Sequence, residues 1–182
     1  SGGWAHDKVF LEQECPQFAQ TFSTQHIGST ASGYRLLANA GARMIQTAFY
    51  RAAFPEANNM GKGVIVDVTT GKRYISETKD RRTQFEAANI QMLKTGRIPV
   101  SILDKEAYEH VVNMPHFNVN RAAGWVTEHP SIEDVAKHYE IPLEPLKETI
   151  ARYNADVEKG VDTEFGSDLE KKFKNPIDHA PY

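Results

Sequence analysis

Val64-Ile65-Val66-Asp67-Val68 limits the fold of this chain more than any other stretch. A short run rich in β-branched residues reads as a strand. Thr69-Thr70-Gly71-Lys72 then turns the chain, and Arg73-Tyr74-Ile75 returns it as a hairpin, which makes its neighbour antiparallel. Ile98-Pro99-Val100-Ser101-Ile102-Leu103 is a second strand candidate, and Pro99 puts it at a strand start or a sheet edge. Helical patterns surround these strands without alternating with them as βαβ units, so the class is α+β.

Asp7 to about Phe22 opens as a helix, with Val9, Phe10 and Leu11 apolar and Pro16 limiting its length. Gly33 to Ala40 is a short amphipathic helix, with Leu36, Leu37 and Ala40 on one face and Gly41 as its stop. Asp80 to Leu93 fits a helix with Phe85, Ala88 and Met92 inward, and Lys105 to Val112 a shorter one. Ser131, with an acidic residue three positions later, caps a helix that ends near Tyr139. The next begins at Ile141-Pro142, lays Leu143, Leu146, Ile150, Tyr153 and Val157 on one face and ends at Gly160. Val161 to Tyr182 is polar and turn-rich.

With 21 basic and 24 acidic residues, the net charge of −3 gives no electrostatic support to a nucleic-acid or membrane-surface partner. No apolar run approaches the ~20 residues of a membrane span. Cys15 is the single cysteine, which excludes an internal disulfide, and its place beside Pro16 suits packing. The seven histidines have no metal-ligand spacing, so no metal site is expected. The start, Ser1-Gly2-Gly3-Trp4, has neither an initiator Met nor a signal segment, and Ala180-Pro181-Tyr182 has no helix cap or polar tail. Both ends read as cuts through a longer chain.

Two short stretches carry chemistry. Gly28-Ser29-Thr30-Ala31-Ser32-Gly33 leads into a helix, where backbone N–H groups can meet an anion, yet no Lys-Ser/Thr follows as a P-loop requires. Ser76-Glu77-Thr78-Lys79-Asp80-Arg81-Arg82 is the densest charged stretch and enters a helix directly. Adjacent arginines on a helix point apart, so one can face a cleft and present its guanidinium fork to a carboxylate while the other faces water.

Several stations, in order, resemble the fumarate reductase/flavocytochrome c family of FAD-dependent oxidoreductases. Gly2-Gly3-Trp4-Ala5-His6-Asp7-Lys8 resembles the segment that leaves the family's FAD domain. Ser29-Thr30-Ala31-Ser32-Gly33, with Gly41-Ala42 behind it, is similar to the Ala-Thr-Gly-Asp-Gly turn and its helix. Gly63-Val64-Ile65-Val66 and Gly71-Lys72-Arg73-Tyr74-Ile75-Ser76-Glu77 resemble the family's strand, Gly-x-Arg-Phe turn and acidic residue. Ser131 to Lys137 and Thr149 to Asn154 resemble its helical pair, and Gly160 to Gly166 the Gly-Lys-Asp-x-x-Phe-Gly stretch after it.

The resemblance implies the capping domain of a succinate dehydrogenase/fumarate reductase-type flavoprotein, a small mixed sheet with helices. Residues 1–32 would be an edge of the FAD-binding domain and linker, 33–175 the capping or substrate domain, and 176–182 a return toward the FAD-binding domain. It implies FAD held mainly by parts outside this chain, with Thr30, Ser32 and Gly33 on the cofactor side; Ser32 stands where the family has Asp. Arg81 matches the family's proton-donating Arg, with Arg82 as the alternative, and Tyr50, Arg51 and Glu77 are candidates to line the substrate. The parent would be a bacterial enzyme, cytoplasmic or exported to the periplasm or cell envelope. It would reduce an activated C=C bond of an unsaturated carboxylate or carbonyl compound, with a haem or flavin electron donor. The fragment alone would be inactive. Between Arg43 and Lys62 the family's His and Thr-Glu positions have no counterpart, which leaves a non-catalytic interaction module as the alternative.

Overall fold

In the computed structural model, which describes residues 3–16, 19, 23, 25–45, 47, 63–167 and 175–182, the strand β1 (Val64–Asp67) is flanked on both edges. It pairs antiparallel with β2 (Lys72–Arg73) and with β3 (Val100–Ile102), giving the order β2-β1-β3. All four residues of β1 are buried, because both faces of the strand are covered. Val64 and Val66 pack with Leu146, Ile150 and Tyr153 of the long helix α7 (Leu143–Lys159). Ile65 faces the other way and packs with Ile75, Tyr74 and Ala87 of α3 (Arg81–Thr95). A central strand covered on both faces reads as a continuous apolar run rather than an alternating one.

Smaller helices complete this unit: α4 (Lys105–Val111), α5 (Pro115–Ala122) and α6 (Ile132–His138). Ser131 caps α6 by accepting from the Asp134 N–H, and Gly160 closes α7 in the left-handed region. α5 has no counterpart in the expectations above; its signal is Pro115 at the first helical turn, where a missing N–H costs nothing. On α3 the fully buried residues are Gln84 and Ala88, whereas Phe85 and Met92 are half-buried.

The contacts divide the chain into two compact units, Ser1–Ala52 and Ala53–Tyr182. In the first unit α2 (Ser32–Asn39) is tied to α1 (Lys8–Glu14). Ala31 is buried with Trp4, Phe10, Leu11 and Cys15, and Arg35 pairs with Asp7, the residue that caps α1. α1 ends at Glu14, short of Phe22: Cys15 precedes Pro16 and takes a non-helical φ of −143°. Buried Cys15 donates to the Thr47 carbonyl, and burial pushes its thiol pKa up. Residues 175–182 pack on the second unit, with Ile177 in its core and Tyr182 paired to His129 through the backbone.

A buried ion cluster joins the hairpin to the C-terminal turn. Arg73 of β2 is 5% exposed, and its guanidinium forks onto Glu77 (2.9 and 2.6 Å) and Asp162 (3.0 and 2.8 Å). Glu77 also accepts from the Ile65 N–H, and Asp162 from the N–H groups of Glu164, Phe165 and Ser167. The Phe165 ring centroid lies 4.9 Å from the guanidinium carbon. Burial alone would raise the Asp162 pKa, but the bonds from Arg73 and Ser167 outweigh it and hold the carboxyl well below its usual range. Burial opposes the Arg73 charge in the same way, and its bonds to Asp162 and Glu77 reverse that effect.

Two predictions follow from these contacts. Gly71 sits at φ +68°, and a Cβ there would meet the Leu146 N at 2.9 Å and the Pro142 carbonyl oxygen at 3.1 Å. Gly71→Ala should therefore cost about 2 kcal/mol or more in denaturant unfolding. A carboxyl with a depressed folded pKa stabilises the fold above its unfolded pKa and loses that contribution as pH falls through the folded value. Unfolding midpoints should thus drop on acidification below about pH 4. Asp162→Asn should cost about 3 kcal/mol at neutral pH and flatten that acid dependence.

Candidate functional site

The charged stretch after the hairpin forms a loop held at several points. The Ser76 hydroxyl lies 2.7 Å from that of Ser167 and 2.9 Å from that of Thr78. Glu77 is anchored in the ion cluster and is 1% exposed. Expected on the substrate side, it here gives both oxygens to Arg73, and one also accepts from the Ile65 N–H. The Gln84 amide donates to the carbonyls of Glu77 (2.9 Å) and Lys79 (2.7 Å). Asp80 caps α3, accepting from the N–H groups of Arg82 and Thr83 and from the Thr83 hydroxyl. Those bonds, the Thr83 hydroxyl's foremost, lower its pKa.

The two arginines separate as adjacent helical positions must. Arg82 is 85% exposed and its Nε lies 2.7 Å from Glu86, one turn on, which raises its pKa. Arg81 is also exposed, but no hydrogen bond or ion pair holds its guanidinium among the described residues. It is the first residue of α3, three positions ahead of Gln84 and seven ahead of Ala88, so it continues the helix's buried line.

Thr30, Ser32 and Gly33 belong to the first unit. Ala31, at φ 57°, forms the N-cap of α2 and has no side chain to cap that helix start. First-turn N–H groups without such a cap suit an outside acceptor. The Thr30 and Ser32 side chains are exposed beside them, and Arg35 donates to the Thr30 carbonyl. Tyr50 and Arg51 lie outside the described residues. Among the described residues one trio has metal-type ligand atoms close together, Asp104, Asp178 and His179. Asp104 is fully buried and already accepts from the Ala107 N–H and the Asn175 amide, while Asp178 lies 2.5 Å from His179. Spacing along the chain could not show this trio, since Asp104 lies more than 70 residues before the adjacent Asp178 and His179.

Among the described residues no helix is long and apolar enough to cross a membrane. No family model matches the chain. Over its whole length it is 26% identical to the acrylate reductase flavoprotein subunit of Shewanella woodyi, and it spans 38% of that protein. Its fold is that found in the open conformation of a flavocytochrome c3 fumarate reductase, at 21% identity and a TM-score of 0.73, covering 99% of this chain and 32% of that one. It is also found in 3-ketosteroid Δ1-dehydrogenase from Sterolibacterium denitrificans, at 18% identity and a TM-score of 0.67, covering 100% of this chain and 39% of that one.

Proposed function

We propose that this chain, which fits a fragment of a fumarate-reductase-like flavoprotein, is the capping segment of an FAD-dependent reductase that saturates an activated C=C bond. The observation that carries the reading is Arg81. It opens α3 from a tied loop, and its guanidinium has no partner among the described residues, while Arg82 beside it is engaged by Glu86. The uncapped start of α2, with the exposed hydroxyls of Thr30 and Ser32, suits the polar atoms of a flavin nucleotide. When bound, the flavin supplies the hydride.

The rest falls to this chain's residues. Arg81 holds the substrate carboxylate or carbonyl oxygen, offsets the negative charge that develops there, and gives a proton to the neighbouring carbon. A free guanidinium is a poor acid. Exclusion of water when the cap closes on the flavin domain strengthens its hold on the substrate oxygen and aligns it with the carbon to be protonated. A relay to solvent then reprotonates it. The substrate class is an unsaturated carboxylate or carbonyl compound: the acrylate reductase similarity supports the first, and the ketosteroid dehydrogenase fold allows the second. A haem or flavin group elsewhere would deliver the electrons.

A non-catalytic module derived from such a cap is the second reading, favoured by the absence of any His between Arg43 and Lys62. One pair of variants of the full-length protein separates the two. Arg81→Ala and Arg81→Lys should lower turnover by roughly 10²-fold or more while leaving the flavin content unchanged. Turnover at the parent level in both variants would remove Arg81 from the chemistry.

A further inference from the structure

We propose that Gln84 is a positioning residue for Arg81: its side-chain amide pins the Glu77–Asp80 loop and so fixes the first turn of α3. The proposal rests on the assignment of Arg81 above. Gln84 is 3% exposed, deeper than any other polar residue of its helix. Its Nε2 donates to two carbonyls, Glu77 at 2.9 Å and Lys79 at 2.7 Å, which stand on either side of Thr78. Its backbone N–H donates to the Asp80 carbonyl at 3.0 Å. One residue thus grips the loop at three carbonyls, those of Glu77, Lys79 and Asp80, and belongs to the turn that follows Arg81.

The other end of the loop cannot yield. Glu77 is fixed by Arg73 and the Ile65 N–H, and Ser76 by Ser167. Asp80 is fixed as the helix cap. Between them, the Glu77 and Lys79 carbonyls on either side of Thr78 are both held by Gln84. This matters because Arg81, lacking a partner of its own among the described residues, takes its direction from the backbone. The Gln84 Oε1 is buried and has no partner among the described residues. A buried orphan acceptor is unfavourable, and Met would fill the same space without one. The contribution of this amide therefore lies in its two donated bonds. Displacements of about 1 Å in a reacting group cost about a hundredfold in rate, which is the scale at which such a clamp acts.

The experiment uses the full-length flavoprotein and a turnover assay on an activated alkene such as acrylate. Gln84→Met removes both donors at similar volume, and Gln84→Glu places acceptors against the two carbonyls. Each should lower kcat by about tenfold to a hundredfold with KM little changed and flavin content retained. Because Gln84 acts through Arg81, Gln84→Met should cost less than about twofold further in an Arg81→Lys background. Two results overturn the positioning role alone: an unchanged kcat in both Gln84 variants, or the same fold-loss with and without Arg81. If Arg81→Lys turns over like the parent, the assignment of Arg81 fails, and this proposal with it. Should Gln84→Glu fail to fold, Gln84→Met carries the test.

Discussion

Arg73 is the residue on which the second unit depends. It leaves the short strand β2 with almost no solvent contact and binds two carboxylates, one four residues on and one 89 residues on. A buried cation of this kind is tolerable only when every donor has an acceptor, and the fork onto Glu77 and Asp162 meets that condition. Removing either acid strips half of the guanidinium's acceptors and leaves buried N–H groups unpaired in the interior. The cluster thereby locks the hairpin, the loop after it and the turn after α7 to one another.

That lock is also what gives the candidate site its geometry. Glu77 is at once a member of the cluster and the first fixed point of the loop leading to Arg81. The loop is then held by the Gln84 amide from within α3 and ends at the Asp80 cap, where the helix begins. The core of ionic contacts is structural, and under the proposed function the arginine at its edge is the one that meets the substrate. Glu77 gives both its oxygens to Arg73 and so serves the cluster.

The sequence made much of the fold legible because local signals agree with the tertiary result. The hairpin around Gly71, the Ser131 cap and the Gly160 stop each need only neighbouring residues, and each is found. Long-range partners were beyond reach. Nothing near Arg73 points to Asp162, and nothing on α3 marks Gln84 as buried, since a polar side chain goes inside there to meet two carbonyls that periodicity does not register. α5 was missed because only Pro115 announces it. At the site, both arginines are exposed, and the engagement of Arg82 by Glu86 is an i,i+4 pair that helix geometry alone makes available. Tyr50 and Arg51 lie outside the described residues, so this part of the site rests on sequence alone.

The central claim is that the chain caps a flavin and serves reduction of an activated alkene. The most direct test is anaerobic reduction of the flavin in the full-length protein, followed by mixing with acrylate and other enoates or enones while the visible flavin absorption is followed. The account predicts that one such compound restores the oxidised spectrum, with one saturated product formed per flavin. A full-length protein that purifies without flavin, or whose reduced flavin is reoxidised by none of these compounds, would contradict it.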